Sequence, residues 1–470
     1  MNARRASAAP ASPGKGPEPT EIVVLGGGYV GVWSARAIVR RLRTRIARGD
    51  VRVTLVSASA DHAFHGWTAE VITGHVRPGH ASVPLRRLVP QARLVHGVAA
   101  AVDVAHGEVE VITDLGVRRL RYDQLVVGTG SRDASDRVPG LRDHGWSVKA
   151  KGGLDDLTAH LDDVVRLAAR TDDPVERRRL LTAVVAGGGL SGIEVAAAVS
   201  TRLRRDVAAE PRLRGSSARV VLVHSGARPT PDLRPRFDRV ADYAAAQAVR
   251  AGVELRCDAR IVDVCPDGAI LDEDSWMPSA TVLSALGQSP VPLPGTEHLP
   301  RDAAGRLITD PFLRTSSPGI WAGGDVAAVP HPSGHGTCRS DALWAIHHGA
   351  RAGANVARAV QGRAPARFRF PGLGRAASFG IGRGAGELYG IPLIGWGAWL
   401  PRWVLFHWFM PSRRVALASA LEWFAPRRRP AAGQAAKRSV AATSAAAIPG
   451  SVTEWPASST TMNSASGHAR

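Results

Sequence analysis

Short unbroken apolar runs alternate with longer amphipathic stretches through the first three quarters of this chain. The run Ile22-Val23-Val24-Leu25 leads directly into glycines. Four consecutive apolar residues bounded by turn residues read as a strand buried on both faces. Residues 33–46 have helical spacing, and residues 51–56 alternate like a strand, which completes a strand–helix–strand unit. Residues 124–127 read as another buried strand, ending at Gly128-Thr129-Gly130. The pattern then repeats: residues 183–186 form a strand running into glycines, 193–203 suit a helix, and 220–223 form the next strand. Further strands are expected at 282–286 and 319–322, and a helix at 341–359. Strands alternating with helices predict an α/β protein, and 470 residues suit two to three domains.

From Pro371 onward the pattern changes, and five of the twelve tryptophans fall between Trp396 and Trp423. Residues 388–410 are strongly apolar but punctuated by Pro392, Gly395, Gly397, Pro401 and Arg402. A spanning helix wants about 20 uninterrupted apolar residues, so this segment is not expected to cross a membrane. Trp396, Trp399 and Trp403 recur at helical spacing, with Arg413, Arg414 and Arg427, Arg428 and Arg429 nearby. Tryptophan with flanking arginine suits a membrane interface. A dimer interface, or a helix packed on the core, is the alternative. Residues 1–20 and 425–470 carry too few large apolar residues to pack and are expected to be disordered tails. The N-terminus lacks the charged start and apolar run of a signal peptide.

The formal net charge is +19, nearly all from arginine. It fits solvated faces, anionic cofactors or an anionic membrane. Nucleic acid is disfavoured, because the basic residues are dispersed and no nucleic-acid motif accompanies them. Cys257, Cys265 and Cys338 include no close pair, which argues against a redox dithiol and against a metal site. Cys257 and Cys265 are expected on neighbouring strands as structural residues.

Two segments carry the chemistry. Gly26-Gly27-Gly28-Tyr29-Val30-Gly31, followed by Ala35, matches G-x-G-x-x-G-x-x-x-A. Gly187-Gly188-Gly189-Leu190-Ser191-Gly192, followed by Ala196, matches it again. The first Gly of each (Gly26, Gly187) permits the tight turn. The second (Gly28, Gly189) lets a pyrophosphate approach the backbone. The third (Gly31, Gly192) lets the helix pack on the strand. Both follow a strand and open a helix, whose N-terminus favours phosphate. The acid expected after the second strand of each unit is replaced by Ser57 and by His224. With Arg228 nearby, nothing there repels a 2′-phosphate, so NADH and NADPH both stay open.

This order of motifs resembles the type II NADH dehydrogenase branch of the two-dinucleotide-binding flavoproteins, from about residue 21 to 424. The resemblance is strong at the fingerprints and at Trp321-Ala322-Gly323-Gly324-Asp325, moderate at Val83-Pro84-Leu85-Arg86-Arg87-Leu88, and loose in the C-terminal part. It implies FAD on the first fingerprint and a nicotinamide dinucleotide on the second. It implies that Gly324 and Asp325 meet the flavin's ribityl chain, and that Thr129 and Gly130 mark the exit from the FAD domain. Glu194 falls where the family has a glutamate near the nicotinamide and flavin. Leu343, His347 and His348 stand where glutamines are expected under the flavin. Histidine titrates near neutrality, so His347 or His348 is a candidate proton source for a quinone.

The fold class implied is α/β, with two nested Rossmann-like dinucleotide-binding domains and a small C-terminal amphipathic region. The expected layout is an FAD domain at 21–145 and 286–365, an NAD(P)H domain at 146–285, and a membrane-surface or dimerisation region at 366–424. The activity implied is hydride transfer from NAD(P)H to flavin and electron delivery to a quinone, on the inner face of the cell membrane. The alternatives are a same-fold reductase of a small electron-transfer protein and a low-turnover NAD(P)H-sensing flavoprotein.

Overall fold

The computed structural model describes residues 18–149, 153–272 and 275–423. The first sheet begins with β1 (Thr20–Leu25), which is followed by α1 (Tyr29–Ala47) and β2 (Val51–Ser57). It gains β3 (Arg93–His96) and β4 (Gln124–Val127). A short helix, α2 (Thr68–Thr73), lies between β2 and β3. The second sheet is built from β5 (Thr182–Ala186), β6 (Arg219–Val223), β7 (Val253–Arg256) and β8 (Thr281–Ser284), with α3 (Leu190–Ala208) following β5. Only then does β9 (Ile320–Ala322) return to pair with β4. The strand orders are β9-β4-β1-β2-β3 and β7-β6-β5-β8. All pairings within these two sheets are parallel. The second sheet is therefore inserted between strands of the first.

Ile22, Val23, Val24 and Leu25 are all buried, as the unbroken apolar run requires of a strand covered on both faces. Register brings Leu25 opposite Val56 and Val127, so β1, β2 and β4 end together. Ligands of open α/β sheets sit at such carboxyl ends. A long helix, α4 (Ala342–Val360), crosses α1 at glycines. A Cβ on Gly353 would lie 2.3 Å from the Ser34 carbonyl oxygen, and one on Gly349 would lie 2.5 Å from that of Val30. Asp341 caps α4 by accepting from the N–H groups of Leu343 and Trp344.

The C-terminal part is a three-stranded antiparallel sheet of β10 (Gly374–Ser378), β11 (Gly384–Leu388) and β12 (Ile391–Gly395), followed by α5 (Trp396–Phe409) and α6 (Arg413–Glu422). Helix α5 continues through Pro401 and Arg402, where the sequence pattern predicts breaks. Its inner face offsets the lost proline N–H bond by packing Trp399 in a buried cluster with Phe64, Trp67, Met410 and Trp423. Among the described residues, no helix is long and apolar enough to cross a membrane.

Other expectations need adjustment. β1 begins at Thr20, inside the segment expected to be a tail, because Thr20 already pairs with Val51. Residues 1–17 of that tail and all of 425–470 lie outside the described residues. Cys257 directly follows β7, whereas Cys265 ends a strand of a separate antiparallel sheet, so the two are not on neighbouring strands. An antiparallel meander at Val98–Asp103, Glu108–Thr113 and Gly116–Arg121 is not evident from the sequence, since its outer strand is largely polar and exposed.

Candidate active site

Both glycine turns have the geometry their spacing demands. Gly26 and Gly187 adopt φ of +98° and +113°. A Cβ there would meet the carbonyl oxygens of Gly128 and Ala285, each at 2.3 Å. A Cβ on Gly31 or Gly192 would lie 1.7 or 2.0 Å from the carbonyl oxygen of Gly26 or Gly187. By contrast, nothing lies within 4 Å of a Cβ built on Gly28 or Gly189. Those two residues are the N-caps of α1 and α3, and neither supplies a side-chain cap. The first-turn N–H groups are left facing open space, which is what a diphosphate needs.

Around the first turn, the Ser57 side chain lies where a Cβ on Gly27 would fall, and its Oγ accepts from the Ser59 N–H at 3.2 Å. The Thr129 hydroxyl is buried without a partner among the described residues, and Gly130 has φ +72°. His62 Nδ1 lies 3.0 Å from the Gly27 carbonyl, and burial pushes this imidazole's pKa down to about 4. Tyr29 opens α1 and accepts through its hydroxyl from the His65 N–H at 3.1 Å.

Asp325 sits on a single turn after β9. Its carboxylate is 2.6 Å from Ser131 Oγ and 3.6 Å from Lys149 Nζ. Lys149 also donates to Ser131 Oγ at 2.9 Å and to Gln288. Gly324 has φ +70°, and its N–H donates to His348 Nδ1 at 3.1 Å. His348 is buried, and desolvation with His347 beside it pushes its pKa down to about 3. A neutral ring committed to a backbone N–H positions the turn that carries Asp325. That bond occupies Nδ1 of His348, one of the two candidate proton sources, and leaves its Nε2 buried without a partner among the described residues. His347 stacks on Phe370 at 3.7 Å and 12°, and burial lowers its pKa too.

In the second turn, the His224 ring fills the space over Gly188, and its Nε2 lies 3.0 Å from the Arg228 carbonyl. The Arg228 guanidinium pairs with Asp242 at 2.7 Å, and Arg234 shares the same carboxylate.

Glu194 is the fifth residue of α3, just past its first turn. It accepts from the Ser378 N–H at 2.7 Å and from Arg402 at 3.0 Å. Arg402 also donates to Glu70 at 2.7 and 3.3 Å and to the Gly66 carbonyl at 3.1 Å. Glu70 and Arg402 are almost completely buried, and Phe406 covers the guanidinium at 4.4 Å. Two carboxylates thus share one buried cation, with Glu70 closed off from water and Glu194 partly exposed. Desolvation, with Glu70 adding to it, raises Glu194 from 4.5 to about 7, against the opposing pull of Arg402.

Glu70 and Arg402 are site residues that the motifs do not single out. A signal is present in the sequence all the same: Glu70 is a lone acid in an apolar helix, and Arg402 a lone cation in an aromatic one. A charge buried on an apolar face needs a partner. Among the described residues no group of His, Cys, Asp and Glu could hold a metal ion. The three cysteines are unpaired, and burial pushes the Cys338 thiol up to about 12.

The chain is 31% identical over 314 residues to an NADH dehydrogenase-like protein of Mycobacterium tuberculosis, covering 66% of this chain and 73% of that one. It is 21% identical over 380 residues to the type II NADH:quinone oxidoreductase of Staphylococcus aureus, covering 80% and 91%. The fold superposes on the NDH2 of Plasmodium falciparum, solved with NADH, at a TM-score of 0.74 with 14% identity, covering 86% of this chain and 97% of that one. The model of the pyridine nucleotide-disulphide oxidoreductase family matches residues 20–354. With both glycine turns open to a diphosphate inside that match, this chain belongs to the pyridine nucleotide-disulphide oxidoreductase family.

Proposed function

We propose that the chain is an FAD-dependent NADH dehydrogenase that delivers electrons to a quinone-type acceptor at a membrane surface. The observation that carries this reading is the contact between its two halves. Glu194, two residues past the second fingerprint, meets Arg402, which holds the loop of Gly66, and the neighbouring His65 is bonded to Tyr29 at the first fingerprint. A relay of hydrogen bonds therefore links the regions that follow the two glycine turns.

The residues present fit FAD. Gly26, Gly28, Gly31 and the open N-terminus of α1 would take the diphosphate, Ser57 a ribose, and Asp325 with Thr129 and Gly130 the ribityl side. When bound, the flavin accepts a hydride from a nicotinamide and passes two electrons on, chemistry that no side chain here supplies. Gly187, Gly189, Gly192 and His224 would hold the nicotinamide dinucleotide. A 2′-phosphate near Arg228 would have to compete with Asp242, which favours NADH over NADPH. Glu194, with its pKa raised to about 7, is a candidate to hold a proton in this region, and Arg402 orients its carboxyl.

The acceptor is read from α5. Trp396, Leu400, Val404 and Trp408 are four residues apart and all exposed, Trp396 and Trp408 by 62% and 63%. Leu417 and Leu421 of α6 and Ile391 of β12 are exposed as well. Arg413 lies over Trp408 at 4.7 Å. An apolar stripe rimmed by arginine suits an anionic bilayer and a lipid-borne acceptor better than a soluble protein acceptor.

Steady-state turnover of NADH with a short-chain quinone tests the reading. Many turnovers per flavin, with kcat falling about tenfold or more in Glu194→Gln, support it. Turnover only with a small electron-transfer protein would refute the acceptor, and flavin reduction without turnover would favour the sensing alternative.

A further inference from the structure

A second cavity, of about 320 Å³, opens beside the Glu70–Arg402–Glu194 cluster. Its walls include Glu70 and Thr73 of α2, Thr201 of α3, Ser378 of β10, Arg383 and Trp423. Residues 194, 197, 198 and 201 share one face of α3, so the face that carries Glu194 continues as a wall of the cavity. Ser378 lines the cavity and donates its N–H to Glu194, so the void reaches that carboxyl through a single residue. At the other end Ile381 and Arg383 are exposed to solvent. The volume would hold roughly ten waters at about 30 Å³ each.

The proposed reaction needs such an opening. Reduction of a quinone by NADH forms NAD⁺ and quinol and consumes one proton from solvent. The two electrons and one proton come with the hydride, and the second proton must be drawn from solvent. We propose that this cavity is the proton inlet, with Glu70 as the fixed negative charge at its inner end and Glu194 as the group it recharges. This rests on the quinone-reductase reading above.

The charge arrangement supports it. Glu194 faces Arg402 from α5, the Ser378 N–H from β10 and Glu70 from α2. His75 and Arg383 lie farther out along the cavity wall, and His407 of α5 faces Glu70. With both carboxylates ionised the largely buried cluster is one charge negative, which favours retention of one exchangeable proton. Glu70 is a positioning residue, since it acts through Glu194.

Two variants test the inlet. Thr201→Trp plugs the cavity from an exposed helix position that touches neither Glu194 nor a glycine turn. Stopped-flow reduction of the flavin by NADH should stay within about twofold, because the hydride needs no solvent proton. Reoxidation by quinone should slow about tenfold, with a larger solvent isotope effect. Glu70→Gln removes the neighbouring negative charge, so the infrared carboxyl band of Glu194, assigned by its loss in Glu194→Gln, should titrate about one pH unit lower in the oxidised protein. That band reads protonation without turnover. Unchanged reoxidation in Thr201→Trp, or an unmoved band in Glu70→Gln, overturns the inlet while leaving the quinone reading standing. Failure of quinone to reoxidise the unmodified protein overturns the quinone reading, and the inlet with it.

Discussion

Replacing Arg402 by methionine tests whether the buried cluster is organised as described. The guanidinium makes three bonds to two carboxylates, at 2.7, 3.3 and 3.0 Å, in a site almost closed to water. Methionine keeps much of the aliphatic stem against Trp67 and Phe406, so the packing loss is small. Two carboxylates are left without their cation, and breaking a buried pair in this way costs about 3–5 kcal/mol. The cost depends on pH with a definite sign. Glu194 is raised in the folded state, from 4.5 to about 7. Between those values the folded protein holds a proton that the unfolded chain has lost, so stability falls as pH rises through that window. Removing Arg402 removes the one lowering charge, pushes Glu194 higher, and extends the window upward. The deficit of Arg402→Met should therefore be larger at pH 8 than at pH 6, by up to about 1.4 kcal/mol for the one pH unit between the original midpoint and pH 8. Urea unfolding followed by tryptophan fluorescence at pH 6, 7 and 8 gives the comparison directly. A loss below about 1 kcal/mol, or one equal at pH 6 and pH 8, would refute the reasoning, since an exposed or already neutral cluster behaves that way.

Three further outcomes follow from the geometry. His348→Leu leaves the buried Gly324 N–H without its acceptor, at about 1–3 kcal/mol, and Asp325→Ala removes the carboxylate on that turn; both should lose flavin on gel filtration, read from visible absorbance, and full retention in both would contradict the assignment. Trp396→Ser with Trp408→Ser should weaken co-sedimentation with anionic vesicles about tenfold or more; unchanged vesicle binding with loss of a dimer would assign the stripe to a second copy instead. Asp242→Asn frees Arg228 from its carboxylate, so the ratio of KM for NADPH to KM for NADH should fall several-fold, about 1 kcal/mol in binding; no change would place the 2′-position away from Arg228.

What the sequence reveals follows the range over which each interaction acts. The glycine turns are local: spacing alone dictates which glycine needs a positive φ and which one leaves room for a ligand, and Gly26, Gly28 and Gly31 obey it. The nested sheet order is legible because β9 carries a recognisable Gly324-Asp325 turn. Helix α5 is not, because Pro401 and Arg402 look disruptive when tertiary packing is ignored. The Glu70–Arg402 pair joins residues 332 positions apart, and no local pattern encodes such a contact. The surroundings of the site residues are equally non-local. The burial of His348 and its bond to Gly324 join residues 24 positions apart. The raised pKa of Glu194 depends on desolvation and on Glu70, which no local pattern encodes.

The central claim is that one protein surface lets a nicotinamide reduce a bound flavin and a quinone reoxidise it. Anaerobic titration of the purified chain with NADH, following flavin absorbance and then adding a short-chain quinone, addresses it most directly. The account predicts bleaching at one NADH per flavin, less efficient bleaching by NADPH, and rapid recovery of the oxidised spectrum on adding quinone. A chain that neither carries nor takes up flavin, or whose reduced flavin quinone leaves bleached, would contradict it.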